Sequence, residues 1–240
     1  KLNTFKHILM IKKRIAILQS NYIPWKGYFD LINMVDEFVL FDDMQYTKRD
    51  WRNRNKIKTL NGLTWLTIPV EVKGKYFQKI NETIVSDKDW AKKHWQTITH
   101  SYSKAKYFKE YKAVFEELYL TCDEAYLSQI NYKFITTINE ILGVKTKLRW
   151  SSEFELVDGQ TEKLLAICKQ CNANTYLSGP AAKDYFDIEL AEKENIKVEW
   201  MDYIGYKEYN QLFPPFEHGV SIIDLIFNEG NQTKEFLKSF

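Results

Sequence analysis

An open α/β sheet of mostly parallel strands flanked by helices is the fold class the sequence predicts, and three observations predict it. First, Arg14-Ile-Ala-Ile-Leu-Gln19 and Glu37-Phe-Val-Leu-Phe41 are short apolar runs with a helical pattern over residues 25–34 between them. Strand, helix and strand within about 30 residues form a βαβ unit, whose strands run parallel because the crossover returns the chain to its starting end. Second, the rhythm resumes with strands over 146–150, 175–177 and 197–201 alternating with helical patterns over 161–171 and 181–194. Third, only 9 Gly and 5 Pro occur in 240 residues, which leaves little room for linkers. Alternation of this kind indicates a Rossmann-like sheet.

The remaining elements follow in chain order. Residues 1–13 read as an N-terminal extension in which Met10 is a candidate natural start, and 14–240 as a single α/β domain. After the βαβ unit, extended stretches over 50–59 and 63–70 flank Asn61-Gly62, a hairpin turn signal. Helical periodicity then recurs three times over about 88–142, in Trp90/His94/Trp95/Ile98, Val114/Phe115/Leu118 and Leu127/Ile130/Phe134/Ile138/Ile141, with Gly143 as the stop. This is a helical segment inserted in, or packed on, the sheet. Pro214-Pro215 breaks the chain before an apolar helix at 221–227 and a short tail helix.

Charge and composition exclude several classes. Lys plus Arg number 34 against 32 Asp plus Glu, a net charge of +2, so no global positive field points to nucleic acid or anionic lipid. No apolar run approaches the roughly 20 residues of a membrane span, and the Ile8–Ile11 patch is too short for a signal-peptide core, so a cytoplasmic location is expected. Three Cys suggest no disulfide framework, and Cys168-x-x-Cys171 lies in a helical pattern as two buried residues. No GxSxG, HExxH, P-loop or GxGxxG pattern occurs, so the common hydrolase, zincin and Walker chemistries have no support and these motifs assign no cofactor. The unusual figure is the aromatic one, with 7 Trp, 15 Tyr and 15 Phe.

Ligands of open α/β sheets bind beyond the carboxyl ends of the strands. The loops expected there contain Gln19, Ser20, Asn21, Tyr22, Trp25 and Tyr28, then Asp42, Asp43, Gln45, Tyr46, Lys48 and Arg49, then Ser178, Gly179 and Pro180. Turn chemistry accounts for Asn, Gly and Pro but does not call for Gln, Tyr and Trp together. Residues 45–58 are the densest constellation, with six cations against one acid; they suit a phosphate or diphosphate, or equally a solvated hairpin face. In an extended chain Trp51, Asn53, Asn55 and Ile57 share one face, and Arg52, Arg54, Lys56 and Lys58 the other. Asp42-Asp43 suits Mg²⁺, or one capping and one solvent-facing carboxylate. His94 reads as a satisfied, partly buried imidazole, whereas His100 at a helix end is a candidate acid or base. Asp224 reads either as a buried functional acid or as the fourth residue of a Ser221 capping box.

These stretches resemble the WbqC-like family. The resemblance rests on Leu18-Gln-Ser-Asn-Tyr-Ile-Pro-Trp-Lys-Gly-Tyr-Phe29, Phe41-Asp-Asp-Met-Gln-Tyr-Thr-Lys-Arg-Asp-Trp-Arg-Asn-Arg-Asn55, Trp65-Leu-Thr-Ile-Pro-Val70, Tyr176-Leu-Ser-Gly-Pro180 with Asp184-Tyr185, and Ser221-Ile-Ile-Asp224-Leu. It spans about residues 15 to 228, and Ser20 departs from the proline expected there. The resemblance implies a protein of surface-polysaccharide (O-antigen) clusters that transfers an acyl or aminoacyl group, such as glycyl, from a donor or carrier to a nucleotide-linked amino sugar. On that reading the basic hairpin, with Lys48, Arg49, Asn53 and Arg54, meets the diphosphate, and Tyr22, Trp25 and Trp51 stack on a base or sugar. Gln19, Asn21, Asp43 and Gln45 read hydroxyls, with Asp184 and Tyr185 beside them. Asp43 or His100 would take the proton, and the Ser178-Gly179 amides would face the oxyanion. The competing readings are a nucleotidyltransferase-like enzyme, by fold-level analogy alone, and a non-catalytic protein that presents a glycan precursor.

Overall fold

Alternation within the first two strands decides how the sheet is covered. In the computed structural model, which describes residues 12–240, β1 (Arg14–Leu18) and β2 (Glu37–Leu40) pair in parallel with Ile15 opposite Glu37 and Leu18 opposite Leu40. Met10 and most of the expected extension lie outside the described residues. Ala16, Phe38 and Leu40 face one hydrophobic core, and Ile15, Ile17, Val39 and Phe41 face a second. Successive side chains point to opposite faces, so apolar runs such as these need cover on both sides.

That cover is divided between two groups of helices. On the first face lie α1 (Lys26–Asn33), α2 (Trp90–Tyr102), α3 (Phe108–Leu120), α4 (Leu127–Leu142) and α7 (Ile222–Glu229). The second face is covered by α5 (Gln160–Gln170) and α6 (Ile188–Lys193). The sheet also contains β5 (Lys147–Trp150), β6 (Thr175–Ser178) and β7 (Lys197–Trp200), in the order β5-β2-β1-β6-β7 with every pairing parallel. Chain order therefore runs outward from β1 through β2 to β5, then restarts at β6 on the other side of β1. The helical segment sits where periodicity placed it, and α4 ends at Gly143 with φ +71°, a left-handed turn that favours glycine.

Three local expectations differ. A separate antiparallel ribbon joins β3 (Arg54–Thr59) and β4 (Gly62–Thr67), but Thr59 pairs with Gly62, so Leu60 and Asn61 make the turn and Gly62 opens β4 at φ +100°. Asn53, Asn55 and Ile57 are buried together as the alternation requires, yet the opposite face is not uniformly solvated. Lys58 is 3% exposed, because its ammonium donates to the Pro215 carbonyl from the segment that crosses the ribbon. The helical pattern over 181–194 is broken into a 3-10 turn, Pro180–Asp184, and α6, because the Asp187 carboxylate accepts from Leu190 N–H and starts a new helix.

A hydrogen-bonded chain crosses the helical core. His94 Nε2–H donates to the Thr67 carbonyl at 3.1 Å, which leaves Nδ1 to accept from Tyr22 OH at 2.9 Å, while Tyr119 OH donates to Tyr22 at 2.7 Å. Tyr22 is fully buried against Trp90 and Phe134, so it cannot stack on a ligand as the resemblance implied. His94 is the satisfied imidazole its position suggested, and burial pushes its pKa down to about 4. Cys168 and Cys171 are buried free thiols whose pKa values burial raises.

Because the folded value for His94 lies below the free value of 6.5, protons bind the unfolded chain preferentially. Its contribution is complete above about pH 6.5 and is lost as pH falls toward 4, amounting to at most about 3 kcal/mol. Urea unfolding across that window should show a steeper loss in the wild type than in His94→Gln; equal slopes would assign the loss to other groups.

Candidate functional site

The reversal of chain order between β1 and β6 opens a crevice beyond their carboxyl ends, the topological switch point of such sheets. A cavity of about 530 Å³ lies there. Gln19 follows β1, Ser178 ends β6 and Gly179 follows it; Tyr185 closes one side, and Lys163 reaches in from the first turns of α5. Arg52 enters from the loop before β3, donating to Gln19 Oε1 at 3.2 Å and to Asn21 Oδ1, with Asp50 3.5 Å away. The lining holds two cations and no Asp, Glu, His or Cys. The carboxyl of Glu162 lies against Gly159 at the start of α5, so the cationic character of the crevice comes from side chains rather than from the helix end.

A second cavity, of about 290 Å³, lies beside the first and is lined by Asn21, Pro24, Trp25, Trp51, Asn55 and Gly219. Trp25 is held by close fit: a Cβ on Gly27 would collide with its indole, and Tyr203 and Tyr206 pack edge-on at 5.1 and 5.6 Å. Trp51 lies 5.4 Å from Trp65, whose other neighbour is the Arg54 guanidinium at 4.1 Å. The segment carrying Gly219 is anchored by Lys26, which is buried, donates to the Lys207 carbonyl at 3.1 Å and lies over the Tyr206 and Tyr209 rings. Burial lowers the Lys26 pKa to about 8, against the charges of Asp30 and Asp224.

Both cavities depend on a buried carboxylate. Asp42 accepts from Ser20 N–H at 2.8 Å, Ser20 OH at 2.7 Å and Ser128 OH at 2.5 Å, and Asn131 Nδ2 donates to Ser20 Oγ and to the Arg52 carbonyl. Burial pushes the Asp42 pKa up while the serine bonds pull it down. Ser20 supplies two of these bonds; a proline there would have neither donor.

The sequence-predicted residues divide into groups. Gln19, Ser178, Gly179 and Tyr185 meet at the crevice, and Asn21, Trp25 and Trp51 at the second cavity. Lys48, Arg49 and Arg54 border a separate depression with Pro69 and Val72, and Gln45 donates to the Tyr76 carbonyl in another. The division arises after Arg49, where neighbours in sequence point to different surfaces: Trp51 lines the second cavity, Arg52 the crevice and Arg54 the depression. Asn53 is buried and donates to the Ile68 carbonyl. Asp43 is held by Ser151 at 2.6 Å, Asn81 at 3.2 Å and Lys79 at 3.5 Å, outside the crevice lining. His100 is exposed on α2 and Asp184 is exposed at the end of its 3-10 turn, both outside the two linings. Asp224 is a buried acid that accepts from Tyr102 and Tyr209, both at 2.7 Å, while Ser221 alone caps α7. Lys163 was not singled out from sequence, and Arg52 only as part of the basic face. The start of α5 was the available signal for Lys163, but nothing local assigns it to the crevice.

A family model described as the WbqC-like protein family matches residues 19–236. The Mycobacterium tuberculosis (strain ATCC 25618 / H37Rv) protein named Uncharacterized protein Rv1507c is 49% identical over 226 residues, covering 94% of this chain and 98% of that protein. No solved structure matches. Among the described residues no helix is long and apolar enough to cross a membrane.

Alanine in a helix is normally more stable than glycine by about 1 kcal/mol, but Gly27→Ala would displace the Trp25 indole. We expect a loss of about 1–3 kcal/mol in urea unfolding together with a shifted tryptophan emission. A stabilised variant would show that the indole has room to move.

Proposed function

The chain belongs to the WbqC-like protein family, and from that premise we propose that it binds a nucleotide-linked amino sugar in the switch-point crevice and transfers an acyl or aminoacyl group to it in surface-polysaccharide biosynthesis. The observation that supports the binding is the charge of the wall: Arg52 and Lys163 converge on the cavity and no carboxylate lines it. Asp50 sits 3.5 Å from the Arg52 guanidinium, whose two terminal nitrogens already donate to Asn21 and Gln19, so a diphosphate would take their remaining N–H groups together with the Lys163 ammonium. Lys163 forms no ion pair among the described residues, so its charge is available to a ligand. On this reading Gln19 and the Gly179 amide, which line the same cavity, would donate toward the sugar.

In the transfer step the sugar amine, as free base, attacks the acyl carbon of an activated donor. The C–N bond forms as the donor's leaving group departs with its electron pair, and the amine proton passes to that leaving group or to solvent water. On this reading the Ser178-Gly179 amides would donate to the oxyanion that develops on the acyl carbonyl. Since no carboxylate, imidazole or thiol lines the crevice, a second reading is favoured by the same wall: a non-catalytic protein that holds the nucleotide sugar for a partner enzyme.

Calorimetric titration with UDP- and dTDP-linked amino sugars tests the binding. Arg52→Ala and Lys163→Ala should each weaken it by about tenfold or more, whereas His100→Ala should bind as the wild type does. Indifference of the wild type to such ligands would overturn the proposal. Mass spectrometry after incubation with acyl and aminoacyl donors separates the two readings: an N-acylated sugar supports the transferase, and binding without product supports the presenter.

A further inference from the structure

We propose that the second cavity takes the aromatic base of the nucleotide, so that base and sugar lie on opposite sides of Arg52. The inference rests on the reading of the ligand as a nucleotide-linked sugar and adds the direction in which it lies. Arg52 is the partition between the cavities: one guanidinium nitrogen donates to Gln19, which lines the crevice, and another to Asn21, which lines the second cavity. A diphosphate seated on Arg52 therefore has an exit on each side.

The two sides differ in chemistry. The second cavity is walled mainly by Trp25, Trp51 and Pro24. Its indoles are held in place before any ligand arrives, Trp25 against Gly27 and Tyr203, Trp51 against Trp65. Trp51 and Trp65 are 41% and 42% exposed, so the pair lies at the surface instead of filling the core. Lys56 lies 5.9 Å from the Trp51 ring and completes a basic, aromatic rim.

Hydrogen-bonding capacity decides which part of the ligand enters. Asn55 is committed, since its Nδ2 donates to the Tyr22 and Ile23 carbonyls and its Oδ1 accepts from Lys56 N–H. Asn21 Oδ1 is taken by Arg52, which leaves its Nδ2 as the open amide donor of the cavity. A hexose buried here would leave several hydroxyls unpaired, at a cost for each. A base needs ring faces above all, and base–aromatic stacking tolerates any base because each has a π-face. Gly219 lines the same space, with the Glu217 carboxylate and the Lys56 ammonium beside it. The sugar is thereby directed toward Ser178 and Gly179.

The test is calorimetric titration of three probes, UDP-glucosamine, UMP and glucosamine 1-phosphate, against the wild type, Trp51→Ala, Trp51→Phe, Gly219→Val and Arg52→Ala. Trp51→Ala should weaken the two base-containing probes about tenfold or more and leave glucosamine 1-phosphate unchanged, with Trp51→Phe retaining most of the affinity. Gly219→Val adds a side chain to the other wall, against the Glu217 carboxylate and the Lys56 ammonium, and should reproduce the loss without touching an aromatic residue. Equal weakening of glucosamine 1-phosphate would place the sugar in this cavity and overturn the inference. It is also overturned if Arg52→Ala weakens UDP-glucosamine while Trp51→Ala and Gly219→Val do not, a result that leaves the diphosphate reading standing. Failure of every probe to bind the wild type removes both.

Discussion

The carboxylate of Asp42 is the constraint on which the crevice depends. It sits at the end of a central strand, 1% exposed, and would be costly there without partners. Its partners are the backbone and hydroxyl of Ser20, from the loop after β1, and the hydroxyl of Ser128, from the first turn of α4. One buried charge thus ties a sheet loop to the helical segment. Asn131 extends the tie to the Arg52 carbonyl, which fixes the backbone of the residue that separates the two cavities. Gln19 and Asn21 flank Ser20, so the same bonds set their positions.

Buried acids recur as fasteners elsewhere. Asp30 accepts from Tyr206 OH at 2.6 Å and from the Lys238 and Ser239 amides, and Asp224 accepts from Tyr102 and Tyr209. Between Tyr206 and Tyr209 lies the ammonium of Lys26, in contact with both rings. The irregular segment after β7 is therefore held by charge and phenol chemistry rather than by regular structure, and it delivers Gly219 to the second cavity. This also accounts for part of the aromatic excess, since these tyrosines join polar anchors while their rings fill space.

Much of the architecture was legible because it is written in local periodicity. The parallel pairing of β1 with β2 follows from the βαβ pattern, the three inserted helices from their apolar spacing, and the end of α4 from Gly143. Gln19, Asn21, Trp25, Trp51, Ser178, Gly179 and Tyr185 were legible as site candidates because strand ends and unusual loop composition mark them. The burial of Tyr22 was not, since its partners His94 and Tyr119 lie 72 and 97 residues away. Nor was the scattering of the basic stretch, where Arg52 and Arg54, two residues apart, line different depressions.

By itself the sequence determined the fold class, the family and the strand ends that border the crevice, because hydrophobic period and loop composition are properties of short stretches. Tertiary structure alone decided which cations face the crevice and which carboxylates are consumed as fasteners. Lys163 and Arg52 meet there only because chain order reverses beside β1, and Asp43 is withdrawn by Ser151, 108 residues away. Charge convergence depends on distance in space, which local pattern does not encode.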